Sequence, residues 1–299
     1  MKTFLVLGRN GQVGFELQRT LAPLGKVVAL DSWQLDLNKP DNIRKVVSGL
    51  APAVIVNAAA YTAVDKAESE RDIAMRVNAI APGVLAEEAK KLGALLVHYS
   101  TDYVFDGTKN SPYVETDATV PTSIYGLSKL AGEQAIQVAG GDFLIFRTSW
   151  VYGVRGHNFL LTMLRLAKER DSLRVVADQH GAPTWSRMIA ETTALAIASR
   201  QGQTGIYHLT GQGQTTWHGF AQGILHEYQQ RHAQKGWPEL KVHAAQVETI
   251  TTEQYPTPAK RPANSVLDNT KLLRDFGLQL PDWKDSLAQA MDEAVTLVL

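Results

Sequence analysis

Cysteine is missing from all 299 residues, which removes disulfides, thiolate metal sites and a cysteine nucleophile together. Net charge is missing too: 30 basic residues balance 30 acidic ones, so no nucleic acid and no anionic membrane is expected as a bulk partner. No apolar run approaches a membrane span, and Phe4–Leu7 is too short for a signal-peptide core, so a cytoplasmic protein is expected. The 8 histidines form no H-x-x-x-H pair, which argues against a catalytic zinc. A P-loop lysine motif and a G-x-S-x-G elbow are also absent. No repeat, low-complexity run or linker is evident. What is there, 44% hydrophobic and 20% charged residues, is ordinary for a globular enzyme with one large core or two modest ones.

Phe4-Leu5-Val6-Leu7 is a continuous β-prone run, as expected of a strand buried on both faces. It ends in Gly8-Arg9-Asn10-Gly11-Gln12-Val13-Gly14, and Phe15–Leu21 then reads as an amphipathic helix. Gly8 suits the tight turn, Gly11 the approach of backbone to a pyrophosphate at the helix N-terminus, and Gly14 close helix–strand packing. The spacing is G-x-x-G-x-x-G rather than G-x-G-x-x-G, and a plain turn would need only one of the three. Asn10, Gln12 and Val13 complete the expected cofactor loop. Lys26–Leu30 reads as a second buried strand ending at Asp31, whose carboxylate is placed to receive ribose hydroxyls and to repel a 2′-phosphate. Arg9 would pair with such a phosphate, so NADPH and NADH both stay open. Asp36-Leu37 reads either as a pair beside an adenine or as the cap of a Pro40–Leu50 helix.

Ala53–Asn57 is a third strand, and Ala58-Ala59-Ala60-Tyr61-Thr62 follow it. Small residues there would let a flat ligand lie against backbone, with tight core packing as the plainer reading. Ala67–Lys91 reads as one long helix, with Asp65 and Glu68 as solvated carboxylates. Leu95–Tyr99 is a fourth strand, and Ser100-Thr101-Asp102-Tyr103 leaves its carboxyl end, where ligands of doubly wound sheets bind. A helix cap or an Asx turn would use the same residue types. Phe143–Arg147 is a fifth strand. The alternation predicts an α/β fold, a doubly wound parallel Rossmann-like sheet. Beyond it, helices over Asn158–Arg170 and Trp185–Ser199, strands over Gly205–Leu209 and Lys241–Val247, an irregular Tyr255–Pro262 and a closing helix over Trp283–Leu297 predict a smaller discontinuous α+β lobe. Residues 1–149, with a return over about 178–209, would form the NAD(P)-binding domain, and 150–299 mainly the substrate-binding lobe.

Tyr125 and Lys129 lie four apart in a stretch that continues as helix, so a phenol and an ammonium leave one face. A free tyrosine has a pKa near ~10, and a cation held beside it favours the phenolate by about 1.4 kcal/mol per pKa unit. Alone, the pair is equally a chance feature of a wet helix face. The strand-end hydroxyls that aim at the same space favour chemistry.

Glycine turn, strand-end hydroxyls and Tyr-x-x-x-Lys in this order resemble the short-chain dehydrogenase/reductase superfamily in its extended form. Val54–Ala60, Ala63–Glu68, His98–Phe105, Phe146–Tyr152, Gly181-Ala182-Pro183-Thr184 and Tyr255–Ala259 with Arg261-Pro262 extend the resemblance over essentially the whole chain. They narrow it to the reductases that complete dTDP-L-rhamnose for surface polysaccharide. The resemblance implies that NAD(P)H delivers hydride to the 4-keto group of a dTDP-linked 4-keto-6-deoxy sugar, dTDP-6-deoxy-L-lyxo-4-hexulose. It makes Tyr125 the proton donor and Lys129 the holder of the nicotinamide ribose, lowering the tyrosine pKa. Thr101 would tune the transfer, while Asp102, Tyr103 and Trp150 would grip the sugar. Arg261, in its proline-stiffened segment, is a candidate for the diphosphate or a plain surface arginine. Some relatives are homodimers with a divalent metal such as Mg2+ at the interface; Glu16 matches one such carboxylate, but Arg187 stands where an acid is expected.

Two rivals remain. A dehydratase or epimerase of the superfamily would carry Thr-Asp-Glu where this chain has Thr101-Asp102-Tyr103, and a phenol cannot easily replace that carboxylate base at neutral pH. A non-catalytic nucleotide-binding regulatory subunit would have no use for Tyr125, Lys129 and Thr101 together.

Overall fold

β1 (Thr3–Leu7) is apolar at every position after Thr3 and is buried on both faces, which requires cover on each side. In the computed structural model, which describes residues 1–294, that cover is two layers of helices around a parallel sheet of six strands. β2 (Lys26–Leu30) lies at one edge, followed inward by β1, β3 (Val54–Asn57), β4 (Leu95–Thr101), β5 (Phe143–Thr148) and the strand Gly205–His208 at the far edge. All pairings in this sheet are parallel. One face is packed by Leu17 and Leu21 of α1 (Gln12–Leu21) together with Ile189, Ala190 and Ala194, and the other by Ile43 and Val47 of α2 (Pro40–Leu50) with Leu85 and Ile136. The helix Ser186–Ser199 thus joins the first layer, although it lies late in the chain.

A second core is built from the helices Phe159–Glu169, Trp217–Lys235 and Trp283–Glu293, around Leu164, Phe220, Ile224, Tyr228, Trp283 and Leu287. A small parallel pair, Leu173–Val176 with Val247–Ile250, closes it. Among the described residues no helix is long and apolar enough to cross a membrane.

Several expectations need correction. β2 is only half-buried, because it is an edge strand with one neighbour. The single helix expected over 67–91 is a short turn Val64–Ala67 and then Arg71–Leu92, with a five-residue π segment at Arg76–Ile80. The expected strand Lys241–Val247 is a loop held by the Ala167 carbonyl and a 3-10 turn, and strand begins only at Val247. The helix Trp217–Lys235 is not among the expected elements. Gly219 and Gly223 lower its propensity, yet Thr216 caps it and Phe220, Ile224 and Tyr228 keep the i, i+4 spacing that would have found it. The closing helix ends at Glu293, and the rest of the range expected for it, from 295 onward, lies outside the described residues.

One buried ion pair ties the helix Ile124–Ala139 to the sheet. Glu133 accepts from Arg147 Nε at 2.9 Å and from Nη2 at 2.6 Å, with both residues almost fully buried. Removing one partner leaves an uncompensated charge, so Glu133→Ala is expected to lower unfolding stability by about 3–5 kcal/mol. Urea denaturation read by circular dichroism checks this, and a loss below ~1 kcal/mol would mean that the pair is not what docks this helix.

Candidate active site

The chain leaves β1 for the outer β2 and returns to β3 on the other side, so a crevice opens beyond the carboxyl ends of β1 and β3. Gly8 makes the turn possible: its φ is +83°, and a Cβ would lie 2.8 Å from the Ala58 backbone. Gly14 carries no Cβ because one would sit 2.1 Å from the Gly8 oxygen. Gly11 faces the opening, and α1 begins after it with no side chain capping its N-terminus. Uncapped N–H groups at that end suit a pyrophosphate. The cleft, about 550 Å³, is lined along this side by Gly8, Asn10, Gly11, Gln12 and Val13.

Asp31, Asp36 and Leu37 line its far end. Asp31 is half-buried there, accepting from the Trp33 N–H at 3.0 Å and lying 3.4 Å from Asn10 Nδ2. The Asp36 carboxylate holds its own turn, accepting from Asn38 N–H at 2.9 Å, and this bond first of all keeps it below the usual carboxylate range. It does not cap α2, whose N-cap is Lys39. Ala58, Ala59, Ala60 and Thr62 form the opposite wall. Tyr61 departs from this wall: its hydroxyl donates to Glu70 at 2.5 Å, outside the cleft lining. Asn78, on the π segment, grips the Tyr61 backbone at 2.8 and 3.0 Å and the Ser128 hydroxyl at 3.0 Å. Such a bulge re-aims one side chain, and nothing in the local sequence announced it.

The inner wall holds Tyr125 and Lys129, with Tyr99, Ser100 and Thr148 beside them. The helix starts at Ile124 because Ser123 caps it, and it approaches the 3-10 turn Asp102–Val104 after β4 so closely that a Cβ on Gly126 would stand 2.2 Å from the Tyr103 oxygen. Lys129 Nζ donates to the Tyr99 carbonyl at 2.6 Å and lies 3.2 Å from His98 Nε2. Burial pushes Lys129 down to about 8, against the pull of Glu133. Tyr125 is the correction here. Its phenol is not lowered but pushed up to about 12, first by loss of water and then by the Asp102 charge, with a hydrogen bond to Thr101 opposing both. Thr101 donates to Asp102 at 2.9 Å, and burial pushes that carboxyl up to about 6. Asp102 Oδ2, Ser100 Oγ and Thr148 Oγ1 are buried with no hydrogen-bonding partner among the described residues. Ser100 and Thr148 line the cleft, where orphaned polar atoms are what an incoming polar ligand would satisfy, whereas Asp102 lies outside that lining.

Around this wall, Tyr103 meets the Tyr125 ring edge-on at 5.5 Å. Trp150 sits at a left-handed φ of +48° and stacks on Trp217 at 3.6 Å. A non-glycine residue held there stores strain of the kind found at binding sites. Arg261 is not a free cation: it pairs with Asp65 at 3.0 and 3.3 Å, while Asp65 also accepts from the Ala259 N–H. Asp65 and Glu68 keep the solvent exposure expected of them, Glu68 as an exposed residue and Asp65 in part, yet both also hold structure, since Glu68 accepts from the Ile124 N–H at the start of the Tyr125 helix. The Arg261 charge still reaches Tyr103, whose phenol is raised mainly by burial and then by Asp102. Glu16 lies away from the cleft, shared between Arg19 at 3.5 Å and Arg187 at 3.3 Å. That donor set is already neutralised and does not fit a divalent cation; among the described residues no three acidic or imidazole groups gather to hold one.

Comparison with known proteins shows what the chain as a whole is similar to. A family model described as the RmlD substrate binding domain matches residues 1–296. A Burkholderia thailandensis protein called dTDP-4-dehydrorhamnose reductase is 54% identical over 94% of this chain and 95% of its own length. An Escherichia coli K12 protein of the same description is 45% identical over 98% of each. Among solved structures, a Bacillus anthracis dTDP-4-dehydrorhamnose reductase in complex with NADP superposes with a TM-score of 0.88 at 36% identity, covering 98% of this chain and 99% of that one.

The Trp150 stack is testable without any ligand. A Cβ on Gly181 would stand 2.4 Å from the Trp150 ring, so Gly181→Ala is expected to push Trp150 off Trp217. The exciton feature of the stacked indoles should fall in circular dichroism, with roughly 1–3 kcal/mol of lost stability from overpacking. An unchanged spectrum would show that the ring is not held by that contact.

Proposed function

Since the chain belongs to the RmlD substrate binding domain family, we propose that it is an NAD(P)H-dependent oxidoreductase that reduces the 4-keto group of a dTDP-linked 6-deoxyhexulose to give dTDP-L-rhamnose. The observation that carries this reading is that Tyr125 and Lys129 line the same cleft as the glycine turn and the uncapped start of α1. When bound, the reduced nicotinamide supplies the hydride. The uncapped start of α1 beside Gly11 would receive its pyrophosphate, and the orphaned Ser100 and Thr148 hydroxyls suit the polar edge of the nicotinamide half. With its pKa near 12 the Tyr125 phenol stays protonated at neutral pH, ready to give its proton to a developing alkoxide. Thr101 hydrogen-bonds both that phenol and Asp102, and so orients the donor. Asp102 Oδ2 and the strained Trp150 are the groups left to take sugar hydroxyls and the sugar face. Arg261, braced by Asp65 near Tyr103, is the candidate for the diphosphate. No step is assigned to a metal, because the Glu16 carboxylate is already held by two arginines.

Oxidation of NADPH or NADH at 340 nm on adding the dTDP-ketosugar, set against UDP and GDP analogues, tests the reading directly. Tyr125→Phe removes the proton and keeps the ring, so kcat should fall at least ~100-fold with cofactor affinity little changed. Near-normal turnover would take Tyr125 out of the mechanism. Asp31→Ala should relieve repulsion of a 2′-phosphate and move preference toward NADPH by about 1 kcal/mol or more in kcat/KM. If the NADPH/NADH ratio stays put, Asp31 does not face the adenosine ribose.

A further inference from the structure

Behind Lys129 runs a buried line of side chains that the steps above do not use. Asn57 ends β3, His98 lies in β4, and with Lys129 they are 1%, 1% and 2% exposed. The Ala59 N–H donates to the Asn57 amide oxygen at 3.2 Å, which turns the amide nitrogen toward His98 Nδ1, 3.1 Å away. An amide N–H only donates, so Nδ1 must be the bare nitrogen and the ring proton sits on Nε2. Nε2 faces Lys129 Nζ at 3.2 Å. An ammonium has three hydrogens and no lone pair, so it cannot accept from that N–H, whereas an amine can.

We propose that His98, its tautomer set by Asn57, is a positioning residue for the reduction: it holds the Lys129 nitrogen against β4 and limits the positive charge presented to Tyr125. The proposal rests on the reading of Tyr125 and Lys129 given above and extends it to residues which that reading leaves idle. Both ends of the line meet the cleft, through the Ala59 backbone on one side and Lys129 on the other. Other charges around the lysine do not cancel the effect. Glu133, on the same helix, favours the ammonium, but both its oxygens are engaged by Arg147 from β5. Asp102, beyond the end of β4, lies on the Tyr125 side, and Tyr99 spends its hydroxyl on Thr193. His98 itself is held well below its ordinary value by burial and then by Lys129, so the imidazole does not take the proton instead.

The test compares full-length His98→Leu and His98→Gln with the parent. Without the Nε2–H the ammonium is favoured, the phenol becomes more acidic, and the alkaline limb of the kcat profile should move to lower pH. A shift of roughly 0.5–1 unit is expected in His98→Leu, with kcat down about 10-fold and cofactor Kd within about 2-fold. Glutamine restores an N–H donor and should return the limb toward the parent's. A limb unmoved in both variants, with rate lost only in step with thermal stability, makes His98 a space-filler and overturns the proposal. So does a limb that moves to higher pH in His98→Leu. Should the parent reduce no ketosugar, the proposed function fails, and the proposal is still decided by 15N resonances of the imidazole: an Nε2–H tautomer supports it and an Nδ1–H tautomer overturns it.

Discussion

A lysine nitrogen taken out of water must be met by other groups, and the catalytic half of this protein is arranged around that demand. Lys129 is nearly buried in the cleft wall. The Tyr99 carbonyl, at the end of β4, answers it at 2.6 Å. A carbonyl can stand there only because the parallel sheet pairs β4 on both sides and leaves its last residues opening into the crevice. The same demand fixes the helix: its approach to the turn that follows β4 is close enough that Gly126 admits no side chain.

Charge compensation elsewhere keeps the arrangement rigid. Glu133 and Arg147 lock the middle of that helix to β5, and Asn78 locks Ser128 to the loop after β3. Asp65 and Glu68 do the same at the entrance, one holding Arg261 and the Ala259 backbone, the other the first N–H of the helix. Three distant stretches of chain therefore meet at one wall. A catalytic group held in this way loses little freedom when a ligand arrives, which is how fixed geometry lowers a barrier.

The electrostatics of the wall follow from burial more than from the partner that a sequence suggests. Tyr125 and Lys129 are shifted in opposite directions, the phenol up to about 12 and the amine down to about 8, because each disfavours its charged form out of water. The lysine lowers the tyrosine only to the extent that it carries charge.

The sequence by itself determined the sheet, the glycine turn and the pairing of Tyr125 with Lys129. Those features are written in local periods, a run of apolar residues, three glycines seven residues across and an i, i+4 spacing, and local geometry reads them directly. It also carried the Trp217–Lys235 helix in its Phe220, Ile224 and Tyr228 spacing, masked by two glycines. Tertiary structure alone decided that Arg261 belongs to Asp65, 196 residues away, and that Glu16 belongs to Arg19 and Arg187. It alone decided that a π segment turns Asn78 inward, and that Asn57 and His98 back the lysine. Such pairings depend on distances across the fold, and on which charges lose water there. Neither quantity has a period along the chain.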